Sequence, residues 1–141
     1  MRLESVRLPN GARILNDAYN ANPASMEAAL MALAAEPGRR RIAVLGEMWE
    51  LGDDAARYHR EVGGAAGRAV DVLVAVGAHA DELTAGALEA GMPAQSIERC
   101  ANAAAAAEWL AGRLEGDDVA LIKGSRGAKM EQILEYLRSG N

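Results

Sequence analysis

Val70-Asp71-Val72-Leu73-Val74-Ala75-Val76-Gly77 decides the fold class. Only Asp71 interrupts an apolar, valine-rich run, and a glycine closes it. A strand with one wet face alternates apolar and polar residues, whereas an unbroken run is covered on both faces. Such a strand belongs in a parallel sheet with helices above and below. The next segment fits, since a helix reads from about His79 to Glu89 and Gly91-Met92-Pro93 ends it.

The same unit recurs in both directions. Upstream, Arg41 to Leu45 is a buried strand closed by Gly46, followed by the loop Glu47–Gly52. Asp53 then reads as the N-cap of a helix from about Asp54 to Arg68, with Tyr58, Val62 and Ala66 on one side. Before that, Asn22 is a natural N-cap and Pro23 suits the first helical position, where no N–H is needed. Met26, Ala29, Leu30 and Leu33 give that helix an inward face, and Pro37-Gly38 stops it. Downstream, Ser96 to Cys100 is a short strand. Asn102 caps a helix that opens on an alanine run and holds Trp109, Leu110 and Leu114. Val119 to Ile122 is the last buried strand, and a final helix runs from about Ala128 to Leu137. At the start, Val6–Leu8 and Ala12–Leu15 form a hairpin around Asn10-Gly11, residues that tolerate positive φ. The reading is α/β: a mostly parallel sheet covered on both faces, with an N-terminal antiparallel hairpin, in a single domain spanning 1–141.

Composition bounds the function. Of 141 residues half are hydrophobic, enough for a core, and a quarter are charged. Net charge is −5 with arginines scattered among acids, which argues against nucleic acid. The single cysteine, Cys100, excludes an internal disulfide framework and fits a reducing, cytoplasmic location. No apolar run is long enough to span a bilayer, so no membrane insertion is expected.

In an open α/β sheet, ligands bind beyond the carboxyl ends of the strands. Four loops sit there: Asp17–Asn22, Gly46–Gly52, Gly77–His79 and Lys123–Gly127. The first packs Asp17, Tyr19, Asn20 and Asn22 just before a helix N-terminus. Free N–H groups and a partial positive charge suit a phosphate there, and Asp17 suits ribose hydroxyls. The alternative is structural: Asn20 and Asn22 as turn and cap residues, Tyr19 packed on a helix. In the last loop, Lys123, Ser125 and Arg126 stand among glycines that let a ligand approach, and Arg126 can grip a carboxylate or phosphate. The alternative there is a glycine turn with two solvated charges. Glu47 and Glu50 suit a metal or an amine, or simply solvation; His59 and His79 read as surface or packing residues. No P-loop, Gly-x-Gly-x-x-Gly, zinc-spaced Cys/His set or nucleophile elbow is present.

Three blocks carry a family resemblance. Asp17-Ala18-Tyr19-Asn20-Ala21-Asn22-Pro23, then Arg41 to Gly52 followed by His59, then Lys123-Gly124-Ser125-Arg126-Gly127, occur in order across essentially the whole chain. They resemble the Mur ligases, and within them the branch that adds D-Ala-D-Ala to a peptidoglycan precursor. Ala18 departs from the serine common there. The resemblance implies a Rossmann-like three-layer sandwich acting as the third domain of a three-domain enzyme whose central domain carries the P-loop and the magnesium ligands. It implies an ATP-dependent, ADP-forming amide ligase joining D-Ala-D-Ala to UDP-MurNAc-tripeptide, with ATP and Mg2+ bound mainly outside this chain, which alone is inactive. Asp17, Tyr19, Asn20 and Asn22 would meet ATP; Lys123, Ser125 and Arg126 would face the dipeptide and the reacting end. A sister Mur ligase and a non-catalytic α/β binding module are the alternatives. A phospho-receiver would need an acceptor aspartate where Gly46 and Gly77 stand.

Overall fold

The computed structural model describes residues 3–18 and 21–139. Strands β1 (Glu4–Arg7) and β2 (Arg13–Asp17) form the hairpin. The chain then alternates through α1 (Pro23–Ala34), β3 (Arg40–Leu45), α2 (Ala55–Ala69), β4 (Val72–Val76), α3 (Ala80–Glu89), β5 (Ile97–Cys100), α4 (Ala103–Ala111), β6 (Asp118–Lys123) and α5 (Glu131–Arg138). The strands form one sheet in the order β1-β2-β6-β3-β4-β5, and every neighbouring pair but β1–β2 is parallel. Helices α1, α2 and α3 bury their apolar sides on one face, α4 and α5 on the other. This is the three-layer α/β sandwich.

Handedness explains the layering. The steps β3 to β4 and β4 to β5 cross the sheet in one direction, with α2 and α3 on one face. The step from β5 to β6 runs back, and a right-handed crossover must then use the opposite face. β6 lies between β2 and β3, and α5 leaves it on the side away from α1 and α2. All six residues of β6 are buried. Side chains such as Leu121 and Ile122 each contribute roughly 1.5–3 kcal/mol by leaving water.

Several boundaries differ from the sequence reading, each for a local reason. In the hairpin turn only Gly11 takes positive φ (96°). Its N–H closes the turn on the Leu8 carbonyl, and Asn10 Oδ1 accepts from the Ala12 N–H instead. Asp53 is not the cap of α2. Gly52, at φ 60°, starts a 3-10 turn over Gly52–Asp54, and Asp54 precedes the helix without a side-chain cap. Leu114 lies beyond α4, because the chain turns at Gly112 and the Arg113 and Leu114 amides fold back onto the Leu110 carbonyl. The last helix begins at Glu131 rather than near Ala128. A 3-10 turn, Arg126–Ala128, comes first, and left-handed Lys129 (φ 57°) separates the two.

Helices α2 and α3 touch backbone to backbone. A Cβ on Gly63 would stand 2.0 Å from the Leu83 carbonyl oxygen, and one on Gly86 would stand 1.9 Å from that of Arg60. This contact brings His59 of α2 beside His79 at the start of α3.

Candidate functional site

At the carboxyl ends of β2, β6 and β3 the following loops part to opposite faces, the place where open α/β sheets commonly take ligands. Asp17 and Lys123 are register partners at the ends of β2 and β6. Lys123 is fully buried and Asp17 only 4% exposed. Lys123 Nζ donates to Asp17 Oδ2 at 2.5 Å. Asp17 Oδ1 is buried and has no hydrogen-bond partner among the described residues. Leaving such an oxygen without a donor costs about 1–3 kcal/mol.

Tyr19 and Asn20, read as ligand residues, lie outside the described residues. Asn22 is the N-cap of α1: its Oδ1 accepts from the Ser25 N–H at 2.9 Å, and Ser25 Oγ accepts from the Asn22 N–H at 3.1 Å. The first turn therefore keeps little for a phosphate. Pro23 has no N–H, that of Ser25 goes to the cap, and that of Met26 goes to the Asn22 carbonyl.

The loops after β3 and β6 are joined. The Gly46 N–H donates to the Lys123 carbonyl at 2.8 Å and the Ser125 N–H to that of Glu47 at 2.9 Å. Ser125, 6% exposed, accepts the Trp49 N–H on its Oγ at 3.0 Å. Buried Met130 packs over both Gly46 and Gly124, where a Cβ would come within 2.9 and 2.8 Å of its side chain. The β3/β6 crevice is thus filled, and the buried Asp17–Lys123 pair sits at β2/β6. The Trp49 indole rests on Gly127, where a Cβ would meet it at 1.8 Å. Of Lys123, Ser125 and Arg126, only Arg126 is exposed.

His59 is the residue whose place the sequence reading left open. It is fully buried. Its Nδ1 lies 2.7 Å from the Ala55 carbonyl oxygen and its Nε2 2.9 Å from the Met48 N–H. A carbonyl only accepts and an amide N–H only donates, so the ring is neutral with its proton on Nδ1. Burial, above all, holds its pKa below the ordinary imidazole value, and the neighbouring His79 adds to this against the Ala55 bond, Glu82 and Glu47. The two imidazoles stack with centroids 4.1 Å apart. The signal was available: His59, Val62 and Ala66 recur at i, i+3 and i+7, the spacing of an inward face. Glu47 is half-buried near Gly77, and Glu50 is exposed at positive φ. Among the described residues no three His, Cys, Asp or Glu side chains assemble as a metal-ligand set, and no helix is long and apolar enough to cross a membrane.

The fold is a mostly parallel, doubly wound α/β domain with a buried carboxylate, Asp17, where the strand order turns back. The protein family described as Mur ligase, glutamate ligase domain matches residues 1–126, and the chain belongs to that family. It is 36% identical over 155 aligned positions to UDP-N-acetylmuramoyl-tripeptide–D-alanyl-D-alanine ligase of Mycobacterium tuberculosis (strain ATCC 25618 / H37Rv), covering 96% of this chain and 30% of that protein. Among solved structures, MurF from Acinetobacter baumannii superposes with a TM-score of 0.85 at 29% identity, over 98% of this chain and 30% of the other. MurF from Thermotoga maritima, solved with ADP, gives 0.80 at 27%, over 96% and 30%. The chain therefore spans about 30% of the length of these relatives.

Proposed function

We propose that this chain is the C-terminal domain, one of three, of a MurF-type ligase. The complete enzyme uses ATP, with Mg2+, to activate the terminal carboxylate of UDP-MurNAc-tripeptide as an acyl phosphate, with ADP as the leaving group. The amine of D-Ala-D-Ala then attacks, and phosphate leaves. The chemistry of phosphate activation belongs to the nucleotide and its metal, held mainly by a P-loop domain; this domain binds and orients. The reading is supported by the similarity to D-Ala-D-Ala ligases over nearly the whole chain. Within the chain, the observation that carries it is the buried, unmatched Oδ1 of Asp17. A carboxylate oxygen that lacks a donor suits a ribose hydroxyl.

The arrangement refines the roles expected of the loops. Asp17 meets the nucleotide, and Asn22 shapes the α1 entrance as its cap. Lys123 acts through Asp17, Ser125 acts through the Trp49 loop, and Arg126 is the group left to meet an anion, either the dipeptide carboxylate or a phosphate. The guanidinium fork matches both. In the complete ligase, Asp17→Asn is expected to raise the KM for ATP roughly tenfold, the worth of one charge-assisted hydrogen bond, with the KM for D-Ala-D-Ala unchanged. A change confined to the dipeptide constant would overturn the assignment of this edge to the nucleotide.

A further inference from the structure

The structure assigns His59 as the positioning residue of the Glu47–Gly52 loop, a role for its neutral imidazole that holds whichever ligand the edge takes. Nε2 is the only atom on the ring that can accept the Met48 N–H, and Nδ1 is committed to the Ala55 carbonyl. The ring is buried and cannot swing to another partner without disturbing its stack on His79. Met48 is itself 2% exposed, so its N–H has no easy route to water. What Met48 fixes is the loop that reaches the rest of the edge. On one side of it, Glu47 accepts from the Ser125 N–H; on the other, Trp49 donates to Ser125 Oγ and lays its indole on Gly127. A neutral hydrogen bond from α2 thus anchors the β3 loop at Met48, between the bonds by which Glu47 and Trp49 hold the β6 loop that carries Arg126.

Protonation at Nε2 turns an acceptor into a donor facing another donor. The contact then becomes repulsive, and the latch opens. The charges that bear on the ring are His79 and Glu82 from α3 and Glu47 from the loop; the two carboxylates favour the imidazolium, while burial and His79 oppose it. The acids of the turn before α2, Asp53 and Asp54, are exposed, and Asp54 pairs with Arg57. Glu27, the one charged residue of α1, lies in the groove with Arg60 and Glu61. Because the folded-state pKa is depressed, the latch is complete above the ordinary imidazole value of about 6.5 and is lost as pH falls through the folded value.

The test is amide hydrogen exchange of the chain, read at Met48 and corrected for the intrinsic rate, from neutral pH downward until the amides of β6 begin to lose protection. Protection of Met48 is expected to fall at least about tenfold over that range, as the loss of one net hydrogen bond implies, while amides of β6 stay protected. His59→Gln keeps an acceptor at similar reach but does not titrate, so its Met48 protection should persist without pH dependence. His59→Leu should lose the protection at every pH. Met48 protection that is flat with pH in the parent chain, or that survives in His59→Leu, would overturn the inference. A Gln variant that titrates like the parent would do the same, and it decides the matter if the Leu variant does not fold.

Discussion

β6 carries a buried charge at each end, and the two are treated differently. At its amino end Asp118 is 1% exposed. Its two oxygens accept from Arg40 Nε at 3.2 Å, Arg40 Nη2 at 2.9 Å and the Glu115 N–H at 2.9 Å, and Arg39 stands 3.4 Å away. At its carboxyl end, Lys123 meets one oxygen of Asp17, and the other oxygen has no partner among the described residues. A fold that only needed a buried ion pair would satisfy both oxygens, as it does five residues earlier. Buried polar groups left unmatched are costly and therefore rare. The satisfied end closes the sheet, and the unsatisfied end is the one to which the proposed function assigns a ligand.

The largest effect that can break this comparison is at Lys123. Lys123→Met leaves the Asp17 carboxylate buried and uncompensated, so the chain should lose about 3–5 kcal/mol in urea or thermal unfolding. Adding Asp17→Asn removes the stranded charge and should return most of that loss. Arg40→Met at the other end should cost less, about 1–3 kcal/mol, because Arg40 is partly exposed and Asp118 keeps the Glu115 amide and Arg39. Equal losses at the two ends would mean that both pairs serve the fold alone.

Asp118 gives the next effect, and it has a pH signature. Burial pushes its carboxyl pKa up, but the Arg40 hydrogen bond, the Glu115 amide and the charges of Arg40 and Arg39 together bring it below the ordinary value. A depressed carboxyl stabilises the fold above the unfolded pKa of about 3.9, and that contribution is lost as pH falls through the folded value. Asp118→Asn should therefore cost about 1.5–3 kcal/mol near neutral pH and progressively less in acid, where the parent loses the same interaction. A penalty constant with pH would show that shape, not charge, holds that end. The substitution should leave nucleotide binding by the complete ligase unchanged, in contrast to Asp17→Asn.

Much of the fold was legible because it rests on local chemistry. The run from Val70 does hold a largely buried strand, though it starts at Val72 because Val70 ends α2, and Asn22 and Asn102 cap the helices that the sequence assigns to them. Asp17 and Lys123 stood out because each ends a strand, but their contact joins residues 106 apart in sequence. It exists because β6 turns back to lie beside β2, and strand order is a property of crossovers that no stretch of residues spells out. The join between Ser125 and Trp49 was hidden for the same reason, as was the use of the His59 ring nitrogens. The helix boundaries missed by a few residues all fall where a 3-10 turn, a glycine or a left-handed residue intervenes, and tertiary contacts decide those.

The smallest energetic effect concerns the neutral part of the carboxyl edge, and it separates stability from position. Gly127 lies beneath the Trp49 indole, and a methyl there would overlap the ring, 1.8 Å from Cη2 and 2.0 Å from Cζ2. Trp49 is 53% exposed, so its ring can move outward without opening a buried cavity. Gly127→Ala should accordingly change unfolding free energy by less than about 1 kcal/mol, in line with surface substitutions that leave the core intact. The ring, however, must leave its seat. With Trp109→Phe removing the only other tryptophan, the emission of Trp49 should shift to the red and its quenching by acrylamide should rise. Such a displacement at nearly constant stability would show that the glycine sets where the indole sits, at the rim beside Arg126. Unchanged emission would mean that the backbone of the last loop moves instead. Gly127 would then be a turn residue of the β6 loop, with no part in seating Trp49.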